Sequence, residues 1–485
     1  MVNLSDPQKY IITSLQNICL FMAGVGSGKT YIIGFLSGYY ILNFPKVPGF
    51  IGANTYMQLS QSTLFRVRKV WSEIYGWEEG EDYVVSKRPP KSYDTETHDF
   101  VDYRSIVSFK NGTVVFVGSL DNASAHDGKE FGWAFLDETK DTREDDVKET
   151  ILTRLRTPGI YKTSRNKLTD VPRAGKHIFE AFNPLYILTS PAKVRWLNEW
   201  FNLDEYQHEI QSLIYNEDEF FTKEFGQMCV VISSTYHNQE NLPKGFIEKL
   251  LAAFTDEKVK KMVYGNPFVR SGGEFYSEFQ RMKHVRPVKF DPTLPIHVSF
   301  DQNVVPYITA TLYQLQGGTV AQFDEICLEN PKNKTSKLCL EIIKRYGHVL
   351  KQCGLFFYGD PAGKHRDTRG TENDYQIIER YLRPYLNNRS NRVPRKHPPV
   401  LKRKDFANDL FEGNLDGYDF VVDPKCKKSI SDFEFVKEDK NGKKSKEKKK
   451  DPNTGITYEP YGHTSDSFDY FLCKLLERLF ERRSS

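Results

Sequence analysis

The stretch Phe21-Met22-Ala23-Gly24-Val25-Gly26-Ser27-Gly28-Lys29-Thr30 constrains this chain more than any other. It fits the pattern GxxxxGK[ST], with Ala23 in the first glycine position. Gly24, Gly26 and Gly28, with Ser27 among them, let successive backbone N–H groups turn toward phosphates. Lys29 reaches the β- and γ-phosphates, and the Thr30 hydroxyl is placed to ligate Mg²⁺. The apolar run ICLFM before the loop reads as a buried strand, and TYIIGFLSGYYIL after it reads as a helix. A strand, a glycine loop and a helix in that order call for an α/β domain. Its sheet is expected to be mainly parallel, with helices flanking it.

A nucleotide loop needs acids opposite it. WAFLDE, residues 133–138, is an apolar strand ending in two of them. Asp137 is suited to hold Mg²⁺ through water, and Glu138 to polarise the attacking water, so the pair points to ATP hydrolysis rather than binding alone. Gln8, in SDPQKYI, precedes the first strand; it either reads the adenine edge or lies on the surface near a helix start. FEAFNP, residues 179–184, reads as another strand with a polar end. Asn183 there is either a γ-phosphate sensor or part of an Asn-Pro turn.

The second half repeats one device. IHVSFD ends a strand at Asp301, with a hairpin turn following at Gly317-Gly318; LFFYGD ends another at Asp360. GHTSDSFDYFLCKLLERLF reads as an amphipathic helix whose start carries Asp466 and Asp469. Acids at two strand ends and one helix start can converge to hold two divalent ions roughly 3.5–4 Å apart, which suits phosphodiester cleavage. Oxygen-only ligands favour Mg²⁺ or Mn²⁺. Strand-end aspartates also cap turns, and Asp466 with Asp469 also fits a helix N-cap pair. Glu325 either faces the same point or lies on a solvated strand edge.

The order of these parts resembles the large subunit of bacteriophage terminases, the motors that package viral DNA. A leading Gln, the glycine loop, Asp-Glu, a short strand with Asn-Pro, the joint YGNPFVRSGGEFYSEFQRMKHV (264–285) and the C-terminal acids follow one another as in that family. The resemblance implies a P-loop ATPase motor over residues 1–265, with a core to 190 and a small helical lid subdomain over 191–265. A linker over 266–290 and a ribonuclease H-like α/β nuclease domain over 291–485 follow. Lys29 and Glu138 are then catalytic in the motor. Asp301, Asp360 and Asp466 are catalytic metal ligands in the nuclease, with Asp469 behind Asp466 or on the second ion. The family's C-terminal motif resembles His-Asp-Asp-x-x-Asp; here it reads His463-Thr464-Ser465-Asp466-Ser467-Phe468-Asp469. Many relatives carry Arg inside the P-loop, where this chain has Val25. Arg154 and Arg156 are then either the missing transition-state charge, reaching a neighbouring subunit, or ordinary surface pairs. By the same resemblance the cofactors are ATP with Mg²⁺ in the motor and two Mg²⁺ or Mn²⁺ in the nuclease. The partners are double-stranded DNA, a portal protein and a small terminase subunit. The working state is a homo-oligomeric ring, with a monomer in free solution, and the location is the host cell cytoplasm on procapsids.

Net charge is only +4, so any nucleic-acid affinity rests on local runs. NRVPRKHPPVLKRK (391–404) and KNGKKSKEKKKDPN (440–453) are strongly basic. They suit phosphate contacts or solvated loops equally. The seven cysteines form no CxxC pair, no signal-peptide pattern opens the chain, and no apolar run reaches the ~18 residues that span a membrane. Two other readings compete with a packaging motor. A helicase-nuclease of superfamily 2 would carry a QxxGRxxR-type motif late in the motor, and no Gly-Arg pair occurs in the sequence, which weighs against that type and leaves other helicases open. A non-enzymatic ATP-binding assembly protein would not need Lys29, Glu138 and Asp301 together.

Overall fold

In the computed structural model, residues 3–96, 100–139, 142–174, 177–191, 196–269, 272–364, 372–386, 389–445, 448–450, 457–459 and 461–484 are described. The chain divides into two compact units, Met1–Ser271 and Gly272–Ser485.

The first unit opens with helix α1 (Asp6–Thr13), strand β1 (Ile18–Ala23) and helix α2 (Lys29–Asn43). Strand β2 (Gly49–Ala53), helix α3 (Leu64–Tyr75) and strands β3 (Tyr83–Val85), β4 (Ile106–Phe109), β5 (Val114–Ser119), β6 (Trp133–Asp137) and β7 (Leu185–Thr189) follow. Helix α4 (Gln207–Ile214), strands β8 (Phe221–Phe225) and β9 (Met228–Ser233), and helices α5 (Phe246–Ala253) and α6 (Asp256–Met262) complete it. The nine strands form one sheet in the order β8-β9-β1-β7-β6-β2-β5-β4-β3. The six strands from β9 to β5 are parallel, and the edges are antiparallel. Strands β1, β2, β6 and β7 are buried almost throughout, because helices cover both faces of a parallel sheet. Two apolar clusters fill those faces, one with Ile32, Trp71 and Phe135, the other with Leu136, Phe201 and Ile210.

The segment expected as a helical lid is more than that. Strands β8 and β9 lie within it and extend the central sheet, with β9 paired directly on β1. MCVVIS is a short β-branched run, and its apolar side chains gain burial against the sheet that a surface lid would not give them.

In the second unit, β10 (Ile296–Asp301), β11 (Tyr307–Gln316) and β12 (Thr319–Glu329) form an antiparallel meander. Gly317 and Gly318, at φ 59° and 96°, make the tight turn between the last two. Helix α7 (Thr335–Tyr346), strand β13 (Leu355–Gly359), helix α8 (Asp374–Leu382), strand β14 (Arg389–Asn391), helix α9 (Val400–Glu412), strand β15 (Asp419–Val422), helix α10 (Lys427–Phe435) and helix α11 (His463–Leu475) follow. The sheet order is β14-β13-β10-β11-β12-β15, with β13 parallel to β10 and β14 parallel to β13. A three-strand meander whose first strand carries two further parallel strands is the expected ribonuclease H-like arrangement, with β15 added at the far edge.

Residues 272–290 are no linker. Phe275, Tyr276 and Phe279 are fully buried and pack with Phe411, Phe433 and Phe468 in the core of the second unit. Bridges from Glu274 to Lys437 and from Val285 to Val422 tie the backbone down as well. Three large aromatics in a short span are too much apolar surface for a solvated joint. Among the described residues, no helix is long and apolar enough to cross a membrane.

Candidate active sites

The carboxyl ends of β1, β6 and β7 meet at the glycine loop, where ligands of open parallel sheets bind. The loop is held from outside through its carbonyls. Thr235 Oγ1 donates to Val25 O (2.8 Å), Asn238 Nδ2 to Gly26 O (2.7 Å) and Gln8 Nε2 to Ser27 O (2.9 Å). A trans peptide points its N–H opposite its C=O, so the N–H groups of Gly26, Ser27 and Gly28 turn inward. Gly28 has φ 77°, and a Cβ there would run into Gln8; a Cβ at Gly24 would run into Val263 O and Thr235. Met262 O accepts from Val25 N at 2.7 Å, so the end of α6 latches onto the loop. Thr235, Asn238 and Met262 were invisible in the sequence, since nothing local marks them.

Lys29 is buried and donates to the carbonyls of Ala23 (3.2 Å) and Gly24 (3.1 Å); its Nζ lies 3.8 Å from Glu138 Oε1. Asp137 Oδ2 accepts from Thr30 (3.3 Å) and from Thr63 (2.6 Å), the latter another residue the sequence did not reveal. Asp137 Oδ1 is buried with no hydrogen-bond partner among the described residues. Burial raises the Asp137 carboxyl to about 6, with Glu138 adding to the effect and Thr63 opposing it. A buried carboxylate with one unpartnered oxygen beside a Thr hydroxyl fits a hydrated Mg²⁺. Glu138 sits at φ 53°, an uncommon backbone for this residue type. Its N–H is bound to Leu188 O (2.8 Å), and its carboxylate accepts from the Ser190 hydroxyl (2.9 Å) and N–H (3.3 Å).

Two expected nucleotide contacts are placed elsewhere. Asn183 precedes β7 and donates to Gly132 O (3.1 Å) and Thr157 O (2.7 Å), at the amino end of the sheet, away from the loop. FEAFNP holds the short strand Glu180–Ala181, which lies outside the central sheet; the strand that reaches the loop is Leu185–Thr189, so Ser190 takes the site position instead. Gln8 spends Oε1 on Ser5 N (2.9 Å) and Nε2 on Ser27 O, so it caps α1 and braces the loop. Arg154 and Arg156 pair with Asp127 and Glu130 at the amino end of β6.

In the second unit, Asp301 ends β10 and Asp360 follows β13. These strands are parallel neighbours with Phe300 opposite Gly359, and Asp360 N donates to Phe300 O (3.2 Å). The two acids therefore leave the sheet side by side. Asp301 Oδ2 lies 3.1 Å from His463 Nδ1, and His463 Nε2 lies 3.0 Å from Glu459 O. Burial alone would lower His463; the Asp301 carboxylate and then Asp432 outweigh it and raise the imidazole to about 9. Burial pushes the Asp301 carboxyl up, with His463 opposing and Asp466 adding to the rise. His397 Nε2 is 3.6 Å from Asp360 Oδ1.

The α11 acids are paired with cations, although Asp466 stays near enough to Asp301 to raise its carboxyl. Asp466 Oδ1 is bound by Lys444 (2.8 Å). Asp469 is wholly buried, held by Tyr276 OH (2.8 Å) and Lys444 (2.9 Å), with Arg403 at 3.7 Å. Among the described residues, no group of three or more His, Cys, Asp or Glu is gathered closely enough to hold a metal ion. Asp466 is not the helix cap either. Gly462 is, and Asp432 reaches over from α10 to accept from Gly462 N, Thr464 Oγ1 and Ser465 N. Glu325 belongs to neither proposed setting: it caps α10 through Lys428 N and Ser429 N. In the basic runs, Arg403 is buried and Arg392 lies 3.9 Å over the Phe356 ring; residues 446, 447 and 451–453 lie outside the described residues.

A family model described as terminase large subunit, T4likevirus-type, N-terminal, matches residues 20–281, over half of the chain. The chain belongs to the terminase large-subunit family, and its function is that of a DNA-packaging motor. None of the curated proteins matches it. Among solved structures, it is similar to the large terminase of the thermophilic bacteriophage D6E at 13% identity, over 98% of this chain and 99% of that one, TM-score 0.38. The ATPase domain of the Thermus phage P74-26 large terminase matches at 13% identity, over 53% of this chain and 92% of that one, TM-score 0.34. The P22 large terminase nuclease domain matches at 13% identity, over 44% of this chain and 94% of that one, TM-score 0.29.

Proposed function

We propose that this chain hydrolyses ATP in its first unit to move double-stranded DNA and cleaves that DNA with a divalent-metal-dependent site in its second. What carries the first half is the convergence of Thr30, Thr63, Asp137, Glu138 and Lys29 at the ends of β6 and α2. Bound Mg²⁺ would neutralise phosphate charge. Thr30 and Asp137 would hold it, the loop N–H groups and Lys29 bind the β/γ-phosphates, and Glu138 orients water for attack. Ser190 fixes Glu138, and Met262 fixes the loop, so a change at the phosphates reaches β7 and α6 directly.

In the second unit, Asp301 and Asp360 stand side by side and are chemically suited to Mg²⁺ or Mn²⁺. A divalent ion there would activate water and stabilise the leaving oxygen. His463 orients Asp301, and the exposed lysines and arginines of the two basic stretches would supply phosphate contacts. A portal protein and a small terminase subunit are the partners of such a motor, a homo-oligomeric ring is its working state, and the host cell cytoplasm, on procapsids, is its location.

The test is ATPase and plasmid cleavage on one preparation. Glu138→Ala should lose ATP turnover and keep cleavage, while Asp301→Ala should do the reverse. Retention of both activities in either variant would refute its half of the proposal.

A further inference from the structure

Residues 440–450 read as a basic stretch for phosphate or solvent, yet one of its lysines serves neither. Lys444 is bridged to Glu438 across a short hairpin and turned inward, its side chain only 8% exposed. Its ammonium donates to Asp466 Oδ1 (2.8 Å) and Ser465 Oγ (3.1 Å) and is ion-paired with Asp469 Oδ2 at 2.9 Å. Two of the ammonium's three N–H donors are met by these hydrogen bonds, and both carboxylates lie within ion-pair distance of it. The rings of Phe275 and Tyr276 each lie 5.1 Å from Nζ, and Arg403 stands 3.7 Å from both carboxylates.

Two carboxylates bridged by one compact cation is the geometry in which a divalent ion would be held. Among the described residues, these two acids face one lysine and one arginine in a largely buried setting. A divalent ion added between the acids would leave excess positive charge in a poorly solvated pocket, which is strongly unfavourable. Among the described residues, no lysine or arginine is ion-paired with Asp301 or Asp360; the basic side chains at them are His463 and the half-exposed His397.

We propose that Lys444 occupies the cation position between Asp466 and Asp469, so that the nuclease site takes one divalent ion, at Asp301 and Asp360, where two were expected. This rests on the nuclease reading above. Lys444 is then a positioning residue: it stands in for the second ion and holds the first turns of α11, which present His463 to Asp301.

Mn²⁺ binding to the full chain, stripped of metal and free of nucleotide, is counted by the paramagnetic resonance of unbound Mn²⁺. Asp301→Asn and Lys444→Met are measured beside wild type. Wild type should bind one ion more than Asp301→Asn, and Lys444→Met should bind one more than wild type. A wild type binding two more than Asp301→Asn overturns the proposal, as does a folded Lys444→Met that binds no more than wild type. Thermal melting shows whether Lys444→Met is folded; if it is not, the wild-type count decides alone. Equal binding by wild type and Asp301→Asn overturns the nuclease reading itself, and the proposal with it, and is thereby distinguishable.

Discussion

The Ser190 hydroxyl donates to Glu138 at 2.9 Å, joining the ends of two neighbouring strands at the proposed ATP site. Glu138 is thus oriented by a residue of β7's end, and it lies 3.8 Å from Lys29. Glu138→Gln should lower ATP turnover by about 100-fold or more with nucleotide affinity retained. Ser190→Ala, which removes one hydrogen bond to that carboxylate, should lower it by about 3–10-fold. Steady-state ATPase beside equilibrium binding of a fluorescent ATP analogue separates the two effects. A Ser190→Ala enzyme at full rate would mean Glu138 needs no such support.

Asn183 offers the opposite case. Its amide holds two backbone carbonyls at the amino end of the sheet. Asn183→Ala should lower stability by about 1–3 kcal/mol and leave KM for ATP unchanged. Urea unfolding and ATPase kinetics on the same variant check both; a raised KM at unchanged stability would restore the γ-phosphate role.

The boundary of the second unit can be cut in two places. A fragment of residues 272–485 should be soluble and cooperative in unfolding, whereas 291–485 should not fold. The shorter fragment loses Phe275, Tyr276 and Phe279, and each buried aromatic is worth about 3–5 kcal/mol, against a whole-domain stability of about 5–15 kcal/mol. Circular dichroism melts of the two fragments decide it.

His126 makes the first unit acid-sensitive. Burial, with Lys129 beside it, pulls the imidazole down to about 4, while its backbone bond to Ser119 O opposes that. The unfolded chain takes up this proton near 6.5, so between those values the unfolded state binds more protons. Stability is therefore full above about 6.5 and falls as pH drops toward 4, by at most about 3 kcal/mol. Urea midpoints near pH 7.5 and pH 5 should differ less in His126→Gln than in wild type.

Some of this was legible in residue order alone. Glycine spacing, the Lys29-Thr30 pair and the apolar run ending in Asp137-Glu138 specify a phosphate loop and its acids, because each feature is local and its chemistry leaves few alternatives. Asp301 and Asp360 were legible as strand ends for the same reason. Local pattern could not show which groups meet across long separations. Thr63 at Asp137, Ser190 at Glu138, Asn238 at Gly26 and Asp432 at the start of α11 all join residues far apart in the chain. The burial of Phe275, Tyr276 and Phe279, and of Lys444 within a run of exposed-looking lysines, was settled the same way. A hydrogen bond or a buried charge is set by distance and solvent exclusion, and both come from packing. The sequence by itself determined that a nucleotide loop and strand-end acids exist in this protein; only the tertiary structure decided that two of the four expected nuclease acids are already held by Lys444.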